Sequence, residues 1–475
     1  MNKYIDFFTD NKLQVDLNNI RDHTNKKLIK QIGGPLQDTN LKQVLITINN
    51  NFEDGRKHLL FTEYQKKYGK QQMSSNIHIP YLNKEGIVKD FIILCHPNDC
   101  KRITETHIKK APTLELIMLD SIISTTHNEH WRKQKSHFIE GFIPHNLEKI
   151  MHISEKRASK CIYLLKERLD ENNNIDIADF MLNETQAQLQ LALFGSTADF
   201  EQKTNKTIRQ AFKGKGTRGY VRDFSFEMIN RIINKKHNGP LSKLLRTSPQ
   251  LTDTELYGNI ILFSFAGHDT TGHTLTWLIY ELSKNLNIQM QLIKEVDSFW
   301  LEQKNEPIKL KDFERLPYMK KCIFETLRLW PAVANGTFRE LESDEYITGP
   351  NNDLVLVPKG TYIQISNWHR HRNPQLWGKD VNKFNPDRVF SETEIWKKNF
   401  SGINPESEKF SPFAYNPRSC LGKTFANIEM RLILLNLLKH YTFYSDKNII
   451  NGYNQGTMGP KNGLIVKISF RNSKL

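Results

Sequence analysis

The first residue in this sequence whose type and setting could do chemistry is a cysteine in a turn-rich segment. Cys420 lies between Pro417 and Gly422, and an apolar run with helical spacing follows from about Lys423 to His440. A thiol in such a loop, at a helix N-terminus, is held as a thiolate more easily than a buried thiol. A thiolate is a nucleophile and a soft metal ligand. A lone cysteine is most often an inert apolar residue, so the assignment depends on the residues around it.

An acid and a hydroxyl inside an apolar stretch are the second candidate. Asp269 and Thr270 follow Ala266 and Gly267 where the sequence is apolar nearly all round, which predicts a buried helix. Glycine costs such a helix about 1 kcal/mol relative to alanine, so Gly267 needs a packing or functional reason. A threonine hydroxyl can bond the carbonyl four residues back and distort the helix. The alternative is an ordinary threonine-rich buried helix with one solvated aspartate.

Two further pairs of residues have spacings that place both members on one helical face. Glu325 and Arg328 are three residues apart, and Trp131 and Lys135 are four apart. Each pair taken alone is common on protein surfaces, where an ion pair contributes little.

In their order along the chain, these residues resemble the motifs of the cytochrome P-450 family of haem-thiolate monooxygenases. Residues 413–422 are similar to its haem-ligand signature, Phe-x-x-Gly-x-Arg-x-Cys-x-Gly, with Asn416 in place of the usual glycine. Residues 266–271 resemble its oxygen-activation segment. Glu325-x-x-Arg328 resembles its Glu-x-x-Arg motif, and residues 384–390 resemble its Pro-Glu-Arg-Phe segment. The resemblance extends over roughly residues 30–475.

The resemblance implies haem b as the cofactor, with Cys420 as the axial thiolate ligand of the iron. It implies that Asp269 delivers protons and that Thr270 orients a distal water beside the bound dioxygen. The glycine before them would then allow close approach of the flat cofactor. The remaining haem contacts that it implies are Trp131, Lys135, Arg339, Phe413 and Arg418.

A structural cluster and one backbone conformation also follow from the resemblance. Glu325, Arg328 and Arg388 are expected to lock the region behind the haem, because arginine donates in a planar fork. The family's glycine at position 416 takes a left-handed turn, and asparagine is the other residue that best tolerates positive φ. We therefore predict a left-handed conformation for Asn416.

The elements that must position these residues are mostly helical. The longest helix is predicted from Thr252 to about Lys284, since Thr252 and Glu255 have capping-box spacing. Short strands are predicted as well, among them a β-hairpin over residues 455–472. The fold class is therefore mainly α with small β-sheets. The resemblance implies a single-domain helical prism over residues 31–475, with haem between the long helix and the helix after Cys420, and a polar lead-in over residues 1–30.

Composition limits the partners and the compartment. The chain has 67 Lys+Arg against 52 Asp+Glu, a net charge of +15, but the lysines are spread along its whole length, which does not favour nucleic-acid binding. An odd count of 5 cysteines argues against a disulfide framework and for a reducing compartment. No apolar run is long enough for a membrane anchor. We expect a cytoplasmic monomer, with peripheral membrane contact left open.

The expected reaction inserts one oxygen atom of dioxygen into a hydrophobic substrate such as a lipid, sterol or xenobiotic. The stretch after His440 is too short for a flavin or iron–sulfur module, so electrons are expected from a separate NAD(P)H-dependent reductase or a ferredoxin. Arg132, Lys133 and Lys423 are candidates for its docking face. The alternatives are an isomerase or dehydratase of lipid hydroperoxides and a non-catalytic haem sensor. Asp269 and Thr270 argue against both.

Overall fold

The computed structural model describes residues 17–69, 74–198, 200–201, 218–248, 251–304, 306–388, 407–449 and 451–471. Most of the described residues are helical. The α-helices, numbered in chain order, are α1 Lys26–Ile32, α2 Leu41–Glu53, α3 Lys57–Tyr68, α4 Pro97–Thr106, α5 Glu115–Met118, α6 Asn128–Phe138, α7 Pro144–Lys166, α8 Ile177–Gln188, α9 Arg218–Ile233, α10 Pro240–Thr247, α11 Asp253–Lys284, α12 Leu286–Gln303, α13 Pro317–Leu329, α14 Asn367–His371, α15 Pro374–Trp377 and α16 Lys423–His440.

The strands are short and form small sheets. They are β1 Arg21–Asp22, β2 Ile77–Leu82, β3 Ile87–Leu94, β4 Asn174–Asp176, β5 Thr337–Glu340, β6 Glu345–Thr348, β7 Leu354–Val357, β8 Tyr362–Ile365, β9 Tyr441–Tyr444, β10 Tyr453–Gln455, β11 Thr457–Gly459 and β12 Ile465–Phe470. The mainly α fold class with small sheets is confirmed.

The largest sheet runs β1–β3–β8–β5, with β2 antiparallel to β3 on its other side. In this sheet β3 and β8 are parallel and β5 is antiparallel to β8, which puts Arg339 opposite Ile363. The segment before residue 30 takes part in this region, because Arg21 pairs with Ile87 and Leu28 of α1 is buried. Residues 1–16 of the predicted lead-in lie outside the described residues.

The hairpin predicted over residues 455–472 is wrong. Strand β11 pairs back with β10, through Asn454 and Met458, whereas β12 lies between β4 and β9. Val466 and Ile468 of β12 are buried and the alternate residues are exposed. This alternation marks a strand but does not identify its partner, which here comes from a segment nearly 300 residues away, at Ile175.

The long helix α11 crosses the centre of the main apolar core. Thr252 caps it, and both halves of the capping box with Glu255 are present, so its start lies where the sequence predicts it. Trp277 of α11 stacks on Trp330 with ring centroids 4.0 Å apart. Among the described helices, none combines the length and the apolar character that crossing a bilayer requires.

A buried ion cluster joins the end of α13 to the segment after α15. The Glu325 carboxylate accepts from Arg328 Nε at 2.8 Å and Nη2 at 2.7 Å, and from Arg388 Nε at 3.3 Å. Arg328 also donates to the carbonyl oxygen of His371 at 2.9 Å. Glu325 and Arg328 are 1% and 0% exposed, so this is not a surface pair. Two residues of the 384–390 segment, 389 and 390, lie outside the described residues.

Removing one partner from this cluster is expected to prevent stable folding or haem retention. Glu325→Ala leaves two buried guanidinium groups without their shared carboxylate, and such a loss costs roughly 3–5 kcal/mol. That is a large fraction of the net stability of an ordinary protein. Melting temperature and haem content measure the effect. The matched control is Glu302→Ala, because Glu302 pairs with Arg315 at 3.2 Å on the surface. Equal melting temperatures for the two variants would contradict the buried-pair account.

Candidate active site

Cys420 lies at the end of a loop held by hydrogen bonds on both sides. Its backbone N–H donates to the carbonyl oxygen of Phe413 at 2.9 Å. The guanidinium of Arg370, itself fully buried, donates to Tyr415 Oη at 2.6 Å and to Ser411 Oγ at 2.7 Å. Cys420 is the one exposed cysteine of the five, and the other four are buried. The loop therefore presents a single accessible thiol on a fixed backbone.

The loop does not by itself favour the thiolate, contrary to the expectation from its position before a helix. Although solvent reaches the side chain, the surrounding protein raises the pKa of the Cys420 thiol. The backbone N–H groups of Gly422 and Lys423, and the charge of Lys423, act in the opposite direction but do not prevail. Deprotonation at neutral pH therefore calls for a metal ion, which deprotonates a coordinating thiol outright.

The left-handed residue of this loop is Ala414, with φ of 60°, and the prediction for Asn416 is wrong. Asn416 precedes Pro417, and the proline ring restricts the preceding residue to extended conformations. The chain reverses two residues earlier instead. Asn416 Oδ1 accepts from Ser419 Oγ at 3.0 Å, which supports the turn that leads to Cys420.

In α11, the predicted acid and hydroxyl are both half-buried. Thr270 Oγ1 donates to the carbonyl oxygen of Ala266 at 2.8 Å, the bond to the carbonyl four residues back that the sequence suggests. Asp269 Oδ2 accepts a short hydrogen bond from Thr457 Oγ1 of β11 and lies 3.7 Å from His273 Nδ1. The Asp269 side chain is thereby held between α11 and β11.

The glycine that precedes this pair has a packing reason. A Cβ on Gly267 would lie 2.5 Å from Leu189 Cδ1, and one on Gly272 would lie 3.0 Å from Leu182 Cα. Thr185, on α8 as well, donates to the backbone carbonyl of His268 at 2.9 Å. The two glycines therefore let α8 and the π-helical segment that follows it, Leu189–Phe194, approach α11. The contact with Leu189 is by itself a sufficient reason for glycine at position 267, besides the expected close approach of a flat cofactor.

Three basic residues from separate elements converge next to the Cys420 loop. Arg339 of β5 and Lys110 both donate to Thr337 Oγ1, Arg339 at 2.9 Å. Arg418, two residues before Cys420, donates to the carbonyl oxygen of Ile122 at 3.3 Å. We call Lys110, Arg339 and Arg418 the cationic cluster.

Burial and mutual repulsion both act on the cationic cluster. Burial lowers the pKa of Arg339 to about 10. Burial, and then the charge of Arg339, lower the pKa of Arg418 to about 9. Lys110 has its pKa lowered well below the usual range by burial and by both arginines. Nε and Nη2 of Arg339 and of Arg418 are buried and have no hydrogen-bond partner within the described part of the chain. An anion with several acceptor oxygens would satisfy such groups.

Two further implied haem contacts, Trp131 and Lys135, flank this cluster. The Arg418 guanidinium lies 4.4 Å from the centre of the Trp131 ring, and the Lys135 ammonium lies 5.4 Å from it. Lys135 Nζ donates to the carbonyl oxygen of Pro417, so it braces the Cys420 loop from outside. The structure therefore brings Trp131, Arg339 and Arg418 together. Lys135 lies beside them and bonds the Pro417 carbonyl.

These residues fit haem b, which carries two carboxylates on a flat macrocycle and accepts a cysteine thiolate at its iron. The buried, unpartnered guanidinium donors match the carboxylates, and the single exposed thiol matches the iron. Sequence reasoning missed Lys110 and Arg370. Neither belongs to a spaced motif, and only tertiary burial identifies them.

Comparison with known proteins agrees with this chemistry. Residues 222–467, more than half of the chain, match the family model described as Cytochrome P450. Cytochrome P450 3A28 of Bos taurus is 30% identical over 291 residues, which are 60% of this chain and 52% of that relative. Cytochrome P450 3A12 of Canis lupus familiaris is 31% identical over 52% of this chain and 46% of the relative.

These alignments thus span about half the length of the curated relatives. A longer alignment, 25% identical over 468 residues, covers 88% of this chain and 89% of Probable cytochrome P450 313a1 of Drosophila melanogaster. Members of this family use haem b with an axial cysteine thiolate. On the family match and the geometry of the Cys420 loop, the chain belongs to the cytochrome P450 family.

Proposed function

We propose that this protein is a haem-dependent monooxygenase. It inserts one oxygen atom of dioxygen into a hydrophobic organic substrate and reduces the other to water, with two electrons and two protons. One observation carries the proposal: buried arginine donors without a partner lie in and beside the loop that presents the single accessible thiol, Cys420. With haem bound there, the thiolate ligand favours cleavage of the O–O bond.

The residues of this chain would supply binding and orientation. Arg339, Arg418 and Lys110 would hold the haem carboxylates, which would satisfy their buried N–H groups and neutralise their charges. Cys420 would ligate the iron, and the hydrogen bonds from Arg370 would keep its loop rigid. The carbonyl oxygen of Phe413 fixes the Cys420 backbone, and the Phe413 side chain would contact the haem.

Thr270 and Asp269 would manage the protons. The Thr270 hydroxyl donates its one hydrogen bond to the Ala266 carbonyl. Its lone pairs are therefore left to accept a hydrogen bond from a water or a protonated oxygen. Asp269, 14% exposed, is in reach of solvent while Thr457 fixes its orientation. In this proposal the Asp269 carboxylate would take up a proton from solvent and pass it to a water held at Thr270.

An apolar wall supports a hydrophobic substrate. Met118 and Leu119 pack with Ile261 and Leu262 of α11, next to Phe265 and Ala266. The wall therefore adjoins the turn of α11 that carries Thr270, and favours an apolar compound such as a lipid or sterol.

A separate protein would supply the electrons. Arg132 and Lys133 lie on α6, and Lys423 begins α16. Arg132 is exposed, and the two lysines are half-buried. This favours an acidic reductase or ferredoxin as the donor. The cytoplasmic location and the monomeric state stay predictions.

Thr270→Ala is expected to uncouple electron consumption from product formation. The loss of a positioned proton-transfer group costs roughly 10²–10⁴-fold, so product per NADPH should fall about tenfold or more while hydrogen peroxide rises. The assay measures NADPH, peroxide and oxidised product with a reductase. Thr274→Ala is the control, because Thr274 makes the same bond, at 2.8 Å, one turn further on. Unchanged coupling in Thr270→Ala would refute the role. Product formed without any reductase would favour the isomerase reading instead.

Arg339→Met is expected to have opposite effects on the two forms of the protein. In haem-free protein, the variant removes a buried charge whose pKa is lowered from 12.5 to about 10, a penalty on the order of 3 kcal/mol. That penalty applies at every pH below about 10, so the substitution should raise the melting temperature at pH 7. In haem-loaded protein, the same change should lower the melting temperature and speed haem loss to apomyoglobin. Arg102→Met, at an exposed ion pair with Glu345, is the control. A change of the same sign in both forms would contradict the account.

A further inference from the structure

Three possible metal ligands from separate segments meet near the first turn of α11. Asp120 follows α5, His130 lies in the first turn of α6, and Glu255 lies in the first turn of α11. Asp120 Oδ2 is 3.2 Å from His130 Nδ1, which is 3.9 Å from Glu255 Oε1. One ligand atom from each residue can be chosen so that all lie within 4.8 Å of one another. We call these residues the triad.

The separations are close to those around a single transition-metal ion. Zinc binds imidazole nitrogen and carboxylate oxygen at about 2.0–2.2 Å in tetrahedral geometry, which puts neighbouring ligand atoms roughly 3.3–3.6 Å apart. The Asp120–His130 distance of 3.2 Å lies just below this range, and the His130–Glu255 distance of 3.9 Å lies just above it. Small rotations of Asp120 and His130, which are partly exposed, would complete the geometry. A nitrogen and two carboxylates are also the donor types that zinc accepts, with a fourth position for water.

The charge of the triad also calls for a cation. Glu255 is 1% exposed, so its carboxylate is taken out of water. In the described ranges, no lysine or arginine lies within ion-pairing distance of either Asp120 or Glu255, and His130 is the one basic group beside both. A protonated imidazole would balance one negative charge of the two. A divalent ion bound by neutral imidazole balances both.

Buried amides hold two of the three ligands in place. Gln134 Nε2 donates to Glu255 Oε1 at 3.2 Å and to the backbone carbonyl of Asp120 at 3.0 Å. Asn259 orients that amide in turn, donating to Gln134 Oε1 at 2.7 Å. The other Glu255 oxygen, Oε2, accepts from the Thr252 backbone N–H at 2.8 Å. Outer hydrogen bonds of this kind orient metal ligands and tune their affinity.

We propose that Asp120, His130 and Glu255 bind one divalent transition-metal ion, for which Zn²⁺ is the best match. The ion would tie the segment between α5 and α6 to the start of α11. Leu119, the neighbour of Asp120, packs against Ile261 and Leu262, so the ion would also stiffen the apolar wall beside Ala266. This proposal does not rest on the monooxygenase function.

The test uses full-length protein, purified without a histidine tag and treated with a chelator. Calorimetry and thermal melting are run with Zn²⁺ and, in a second arm, with Mg²⁺. We expect one Zn²⁺ per chain at the triad and a rise in melting temperature of several degrees, with no rise for Mg²⁺, which prefers oxygen ligands and octahedral geometry. His130→Gln and Asp120→Asn should each weaken Zn²⁺ binding at least tenfold and abolish the rise.

His145→Gln is the matched control, since His145 is an exposed histidine outside the triad. It should bind Zn²⁺ and melt as the wild type does. Equal Zn²⁺ binding by His130→Gln and wild type would overturn the site, and so would no Zn²⁺-dependent change in wild-type melting. A rise with Mg²⁺ alone would overturn the assignment to a transition metal.

Discussion

Buried positive charge beside a thiol is the constraint on which this structure depends. Arg339 and Arg418 have donors that no described group satisfies, and the charges of both arginines add to burial in lowering the pKa of Lys110. A protein keeps such groups only when a ligand repays their desolvation, because uncompensated burial of charge costs several kcal/mol. The charges therefore select an anionic ligand, and Cys420, two residues after Arg418, selects one that also carries a metal. Haem satisfies both conditions with one molecule.

The rest of the structure holds these groups in fixed positions relative to one another. Arg370 fixes the Cys420 loop through Tyr415 and Ser411. The Glu325 cluster fixes the end of α14, because Arg328 donates to the His371 carbonyl. On the other side, glycines let α8 approach α11 closely enough for Thr185 to bond the His268 carbonyl. Rigid elements therefore hold both parts of the site, the Cys420 thiol on its loop and the pair Asp269 and Thr270 on α11. This is how a site keeps a productive geometry.

The sequence predicted best what depends on neighbouring residues. The start of α11 at Thr252 follows from a local capping box with Glu255. Prediction from the sequence failed where paired strands are distant along the chain, or where one residue restricts the backbone conformation of its neighbour. The pairing of β12 with β4 is non-local, and Pro417 moves the left-handed conformation from Asn416 to Ala414. Lys110 and Arg370 carry no motif, and the packing of Gly267 against Leu189 could not be read from the sequence. Burial, which sequence patterns show poorly for charged residues, identifies the cationic cluster.

The most direct test of the account is the absorption spectrum of the reduced, carbon monoxide-bound protein. A thiolate ligand gives a red-shifted Soret band, and wild-type protein with one haem per chain should show it. Cys420→Ala should lose that band, whereas Cys322→Ala, at a cysteine buried in the core, should keep it. A red-shifted band that survives in Cys420→Ala, or that never forms in haem-loaded wild type, would contradict the central claim that Cys420 binds the iron.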